Sequence, residues 1–139
     1  MKNQTKTSLT FASIAFAGAL AFSGPVSAAD EYNVVPGLTA AGAPLALHGV
    51  DPVAFIDIGN RTSGTAEYTA VHDGVAYYFS SAANLKAFEK NPSSYEPQFG
   101  GFCTFGASVG KKFDGSPRYA DVRDGKLYVF LNEEILKAY

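Results

Sequence analysis

The 139-residue sequence predicts an α+β fold, in which small antiparallel sheets or hairpins and two or three short helices form a single compact domain. Two Asp-Gly pairs, each lying between runs rich in β-branched and aromatic residues, predict two β-hairpins. Between the hairpins, a serine precedes a segment whose leucine and phenylalanine are spaced as on one side of a helix. Locally paired strands that alternate with short helices are typical of helices packed on antiparallel sheets.

The first 29 residues predict a cleaved secretory signal. Lys2 and Lys6 give a positive start, residues 9–22 form an apolar run, and small residues precede the predicted cleavage after Ala28 or Ala29. The apolar run is shorter than the roughly 20 residues that cross a bilayer. We therefore expect export to the periplasm or the cell exterior, with no stable membrane anchor after cleavage.

The segment that follows divides into an arm and the start of the domain. Residues 30–44 are rich in Ala, Gly and Pro, which predicts an extended N-terminal arm that is only partly tied down. Residues 45–139 form the predicted domain. Gly49 and the Asp51-Pro52 pair are expected to bend the chain before a short strand over residues 53–57.

The first hairpin is predicted from Asp73-Gly74, which separates residues 66–72 from residues 75–79. A two-residue turn of this kind requires positive φ at both central positions, and Asp and Gly tolerate that conformation. The predicted register places three pairs on one face of the ribbon: Tyr68 with Phe79, Ala70 with Tyr77, and His72 with Val75.

The remaining elements follow from caps and a second turn. Ser81 is expected to cap a helix over residues 82–90, which Asn91-Pro92 ends. Asp124-Gly125 predicts a second hairpin, and Asn132 is expected to cap a C-terminal helix whose first residues are acidic.

Composition excludes several classes of function. The 11 basic and 13 acidic residues give a net charge of −2 without a long single-sign block, which argues against nucleic-acid binding. An aromatic content of 14% argues against disorder. The single cysteine, Cys103, would be a lone thiol in an oxidising compartment, which suggests a reactive, metal-binding or intermolecular role, or else a buried inert side chain.

Residues 67–81 and 85–95 resemble the YHS domain family, whose short members pair a β-hairpin with a helix. The longer secreted YHS proteins share residues 48–55, 98–106 and 110–115 as well, so the resemblance covers nearly all of the predicted domain. It implies a metal-handling role. In those relatives a cysteine follows the Tyr-Tyr-Phe run and a second lies four residues later. Here the positions hold Ser80 and Asn84, which are poor ligands for soft metals, so that site does not transfer.

The sequence therefore predicts a different metal site. Cys103, in a loop rich in Gly and Phe, is the predicted thiolate ligand, and His48, in the loop before Gly49, is the predicted imidazole ligand. Asp51 is expected to be a third ligand or to support the other two. Copper is the first choice and zinc the second, because monovalent copper needs only two or three ligands. His72 and Gln98 are weaker candidates.

Other interpretations remain open at this point. Phe99, Phe102, Phe105 and Tyr77 could line a pocket or a partner surface, although most aromatic residues of so small a domain are expected in the core. The protein could be a partner-binding or structural domain with a buried inert Cys103, or a redox protein whose thiol forms mixed disulfides or a homodimer. No motif joins a nucleophile to a base. The prediction is thus an exported, non-enzymatic module that binds or transfers a metal ion.

Overall fold

The computed structural model describes residues 31–139, and the predicted signal over residues 1–29 lies outside this range. The strands are β1 (Val34–Val35), β2 (Leu45–Ala46), β3 (Thr65–His72), β4 (Val75–Phe79), β5 (Ser116–Arg123) and β6 (Lys126–Phe130). The α-helices are α1 (Pro52–Ile58), α2 (Ala82–Lys90), α3 (Thr104–Ser108) and α4 (Glu133–Ala138). Short 3₁₀ segments cover Leu47–Gly49, Pro92–Ser94 and Gln98–Gly101.

The strands form two sheets. The larger has the order β1-β2-β4-β3, in which β2 and β4 are parallel and the other neighbours antiparallel, and the smaller consists of β5 and β6. The α+β prediction is confirmed. Residues 31–139 contain four α-helices where two or three were predicted, because α1 and α3 were missed. No helix in this part of the chain combines the length and the apolar character that crossing a membrane requires.

The segment predicted as an arm contributes β1, the edge strand of the larger sheet, where Val34 lies opposite Ala46. Just before it, the Asn33 amide nitrogen donates a hydrogen bond to the carbonyl of Gly100 at 2.8 Å. The Asn33 side chain donates to the carbonyls of Gly101 and Gly115 at 2.9 and 3.0 Å. This residue therefore fastens the start of the described chain to the loop that follows α2.

The strand predicted over residues 53–57 is wrong, because this segment is helix α1. The Asp51 side chain accepts hydrogen bonds from the amides of Val53 and Ala54, and Pro52 occupies the first turn. An aspartate cap followed by proline is a strong helix start, and it outweighs the β-propensity of the apolar residues that follow. Gly59, at φ 67°, ends the helix.

Both predicted hairpins are present. Asp73 and Gly74 have φ of 48° and 78°, and His72 lies opposite Val75 as predicted. At the far end of this hairpin Phe79 lies opposite Thr65 and not Tyr68, because the register shifts between Thr65 and Thr69. A register shift of this kind has no clear sequence signal. A similar shift occurs in the second hairpin.

The predicted helix caps are confirmed. The hydroxyl of Ser81 accepts a hydrogen bond from the Asn84 amide at 3.2 Å at the start of α2, which covers the predicted residues. The Asn132 side chain accepts from the Ile135 amide at 2.9 Å at the start of α4. In both cases a short polar side chain satisfies an amide that the first helical turn would leave unpaired.

The core lies where the larger sheet, the smaller sheet, α1 and α2 meet. The ring of Phe88 packs on Tyr77 and Phe79, with centroid distances of 4.8 and 5.0 Å. Burying aromatic side chains of this size dominates the stability of a small domain. Because α2 packs across the face of β3 and β4, it holds the turn end of that hairpin close to the segment that follows the helix.

Candidate metal centre

The structure places two of the predicted ligands in different environments. Cys103 is fully buried at 0% exposure, and its amide donates to the carbonyl of Phe113 at 2.9 Å. His48 is exposed in the segment after β2 and lines an open cavity with Asn33 and Asp114. Among residues 31–139, no group of three or more potential ligands contains Cys103 and His48.

The predicted role of Asp51 as a ligand is not supported, because its carboxylate is already engaged. One oxygen accepts the two amides at the start of α1. The other accepts the Ser80 amide at 2.8 Å, the Ser80 hydroxyl at 2.7 Å and the Asn84 side-chain amide at 2.7 Å. Ser80 and Asn84, the positions that the sequence resemblance matches to cysteines of YHS proteins, fix a buried carboxylate here.

This hydrogen bonding controls the charge of Asp51. Burial of the side chain acts to raise its pKa, but the bonds from Asn84, Ser80 and Ala54 outweigh that effect and hold the pKa below its usual value. Asp51 is therefore a structural carboxylate that joins the start of α1 to the end of β4 and to α2.

The structure instead assembles a cluster of His72, Asp73 and Glu96, which we call the acidic-histidine cluster. The Nε2 atom of His72 lies 3.6 Å from Oδ2 of Asp73 and 3.6 Å from Oε1 of Glu96. One donor atom from each residue lies within 4.8 Å of the others. Within residues 31–139 it is the one group of three or more such side chains at this spacing.

Three parts of the chain form this cluster. His72 ends β3, Asp73 is the first turn residue, and Glu96 follows the short Pro92–Ser94 segment. Sequence analysis ranked His72 as a weak candidate and missed the two carboxylates. Asp73 was assigned a turn role alone, and Glu96 comes close only because the chain returns past the hairpin after α2.

Hydroxyl groups surround the acidic-histidine cluster. The Tyr32 hydroxyl donates to Oδ2 of Asp73 at 3.4 Å. The Tyr77 side chain is 1% exposed, and its hydroxyl has no hydrogen-bond partner among residues 31–139. Burial raises the pKa of Tyr77, and the nearby charges of Glu96, Tyr32 and Asp73 raise it further. The Tyr77 hydroxyl is therefore held in its neutral form.

A cavity of about 360 Å³ lies beside Glu96. Glu96 and Tyr32 line this cavity, together with Gln98 and Phe99. The weak candidate Gln98 therefore lies near Glu96 and is not part of the cluster. His72 and Asp73 are not among the lining residues, so the cavity meets the cluster on its Glu96 side.

The predicted pocket aromatics separate into two groups. The Tyr77 ring is part of the core, as was expected for most of the aromatic residues. That expectation is wrong for Phe99 and Phe105, which are 54% and 45% exposed. Phe99 and Phe102 line a second cavity of about 340 Å³. Short loops around glycines position these rings outside the packed layer between the larger sheet and α2.

One imidazole and two carboxylates suit a borderline or hard divalent ion. Without a thiolate, the cluster does not suit monovalent copper. Three protein ligands also leave a coordination position for water or for an external donor.

No family model, curated protein or solved structure matches this chain. The fold and the cluster thus define a small α+β domain with a candidate metal centre.

Proposed function

We propose that this protein is an exported, non-enzymatic module that captures or passes on a divalent metal ion at the acidic-histidine cluster. The observation that carries the proposal is the convergence of one histidine nitrogen and two carboxylate oxygens within 4.8 Å. The resemblance to YHS proteins, which implies metal handling, supports the same class of function. The proposed ligands replace those expected from the sequence.

The distances from His72 are compatible with ligation to a common ion. Ligands held tetrahedrally at about 2.1 Å from a common ion lie about 3.4 Å from one another. The two distances from His72 Nε2, both 3.6 Å, are close to that spacing and longer than a normal hydrogen bond. All three donor atoms lie within 4.8 Å of one another, so binding an ion would draw the cluster together.

The surroundings of the carboxylates support the proposal. Carboxylate ligands are usually hydrogen-bonded by outer groups that orient them. Tyr32 already donates to Asp73. The buried Tyr77 hydroxyl has no hydrogen-bond partner among residues 31–139, and we propose that it donates to Glu96 when that carboxylate turns toward an ion.

Copper is the first choice of metal, in the divalent state, and zinc is the second. Nitrogen and oxygen ligands bind Cu²⁺ more tightly than Zn²⁺ in the usual affinity order. Binding without catalysis is proposed because the one thiol, Cys103, is fully buried and cannot act as an accessible nucleophile.

The test is a calorimetric titration of the purified exported protein with Cu²⁺ or Zn²⁺ in the presence of a weak competing chelator. We expect one equivalent to bind. His72→Ala and Glu96→Gln should each weaken binding at least about tenfold. Glu134→Gln, in the first turn of α4, is the matched control and should leave it unchanged.

Two further variants separate this site from the one predicted from sequence. Cys103→Ser and His48→Ala should both keep the wild-type affinity. Loss of stoichiometric binding in either variant, with retention in folded His72→Ala, would refute the proposal. Thermal unfolding of each variant shows whether it is folded.

For Cys103 alone, the structure favours the structural alternative. A sulfur at 0% exposure behaves as a small apolar side chain. A redox role requires access of an oxidant or a partner thiol to the sulfur, and burial opposes that access.

A further inference from the structure

A group of partly exposed apolar side chains lies around α3, and we call it the aromatic surface. Its members are Phe99, Phe102, Phe105, Val109 and Phe113, with Lys111 and Lys112 among them. Phe99 and Val109 are more than half exposed, at 54% and 53%. Large apolar side chains grouped in this way on a small domain indicate an interaction site more often than a packing accident.

The backbone at Phe99 has an unusual conformation. This residue has φ 54° and ψ 35°, a left-handed conformation that costs a bulky side chain about 1–2 kcal/mol. The next residue, Gly100, is held by the Asn33 amide at 2.8 Å and has no room for a Cβ, which would lie 2.4 Å from the Glu31 carbonyl oxygen. The strain thus fixes a ring that stays 54% exposed and whose aromatic neighbour, Tyr128, lies at a centroid distance of 6.5 Å.

Two lysines lie beside the rings of Phe99 and Phe102, and their charges determine which kind of ligand the aromatic surface fits. Phe99, Phe102 and Ala107 line the 340 Å³ cavity, together with both lysines. Lys112 is paired with Glu31, and its ammonium lies 5.7 Å from the centre of the Phe102 ring. The ammonium of Lys111 makes no ion pair or hydrogen bond with any residue in 31–139. The 340 Å³ cavity therefore offers apolar walls next to the unpaired Lys111 ammonium. A ligand with an apolar side chain beside a carboxylate would match both features.

The aromatic surface adjoins the proposed metal centre. Phe99 and Glu31 line both the 340 Å³ cavity and the 360 Å³ cavity, and Glu96 of the cluster lines the latter. A molecule seated on the aromatic surface can therefore extend along the 360 Å³ cavity as far as Glu96.

We propose that the aromatic surface docks an acidic polypeptide segment that carries an aromatic or large aliphatic side chain. The apolar side chain lies in the cleft against Phe99 and Phe102, and a neighbouring carboxylate pairs with Lys111. Where the proposed function holds, this partner is the protein that delivers or receives the ion. The docking contacts themselves do not depend on a bound metal.

Charge argues against two other occupants. An anionic membrane surface needs a larger basic cluster than two lysines, one of which is already paired, on a chain of net charge −2. A second copy docked through the same surface would bring two copies of one cationic edge together.

The experiment uses three synthetic pentapeptides and ¹⁵N-labelled protein. The first alternates glutamate with phenylalanine and leucine, the second replaces each glutamate by lysine, and the third replaces both apolar residues by serine. We expect saturable amide shifts confined to residues 99–113 with the first peptide alone. Phe99→Ser and Lys111→Glu should each weaken binding about tenfold, which corresponds to about 1.4 kcal/mol. Ile58→Ser, at a position that is 73% exposed, is the control and should not change it.

Several outcomes would overturn the docking proposal: equal binding of the lysine peptide, insensitivity to Phe99→Ser, and no saturable binding of the acidic peptide. Phe99-dependent binding to vesicles with anionic lipid, or a dimer that Phe99→Ser dissolves in sedimentation, would assign the surface to a membrane or to a second copy. Repeating the titration on His72→Ala separates the two proposals. If His72→Ala loses metal binding but still binds the peptide, the docking proposal stands. If the wild-type protein binds no metal ion, only the proposed function is refuted.

Discussion

Replacing Asp51 by asparagine tests the structural role of this carboxylate. Its oxygens are fully buried and accept five hydrogen bonds, two from the start of α1 and three from Ser80 and Asn84. Asparagine presents one oxygen and one NH₂ group in the same space. In either orientation the NH₂ group faces donors, so at least two of them lose their acceptor.

The expected loss of stability is large for one side chain. A hydrogen bond to a charged group contributes about 1.5–3 kcal/mol, and loss of a helix cap costs about 1 kcal/mol. Losing two acceptor contacts from Asp51 therefore lowers the free energy of unfolding by roughly 3–6 kcal/mol. At about 4 °C per kcal/mol for a domain near 100 residues, Tm should fall by about 12–24 °C.

The effect should depend on pH. The folded pKa of Asp51 lies below its usual value, so its ionisation stabilises the fold fully above the unfolded pKa of about 3.9. That contribution is lost as the pH falls from this value through the folded pKa. The stability difference between wild type and Asp51→Asn should be constant from pH 7 to 5 and shrink below pH 4.

Urea unfolding at several pH values measures both effects. Asp124→Asn is the control, because Asp124 lies in the second hairpin turn at φ 52°, which asparagine also adopts. It should change stability by less than about 0.5 kcal/mol. The reasoning fails if Asp51→Asn unfolds like wild type yet loses metal binding, since Asp51 would then be the ligand that the sequence predicted.

Three other substitutions or treatments test separate parts of the structure. Cys103 should react with a thiol reagent at least about 100-fold faster in urea than in the native state, because its sulfur is buried, and equal rates would contradict that burial. Tyr77→Phe should change the free energy of unfolding by less than about 1 kcal/mol while lowering metal affinity about tenfold in calorimetry, and unchanged affinity would exclude Tyr77 from the site. Gly64→Ala would place a Cβ 2.3 Å from the carbonyl carbon of Tyr78, so urea unfolding should show a loss of about 2–4 kcal/mol, and a loss below about 0.5 kcal/mol would contradict the close approach of the strands.

The elements predicted correctly are those whose signal is local. Asp73-Gly74 and the Ser81 cap carry their conformational preference within two to four residues. The same local information was misjudged at Asp51-Pro52, where the cap and the proline indicate a helix but the apolar residues after them favoured a strand.

The features that were missed depend on distant parts of the chain. The shift that moves Phe79 opposite Thr65 is set by packing across the sheet. Glu96 meets His72 because α2 turns the chain back along the hairpin, and no spacing in the sequence encodes that contact. Because cysteine and histidine are scarce in this sequence, Cys103 and His48 were predicted as ligands. The cluster in the structure contains two carboxylates instead. Carboxylates are common in any sequence, so their presence alone does not predict a metal site.

The most direct test of the proposed metal centre is a crystal structure of the protein grown with Zn²⁺ and recorded on both sides of the zinc absorption edge. The account predicts one anomalous peak within about 2.0–2.2 Å of Nε2 of His72 and of carboxylate oxygens from Asp73 and Glu96. An anomalous peak beside the sulfur of Cys103, or no peak between the turn of the first hairpin and Glu96, would contradict it.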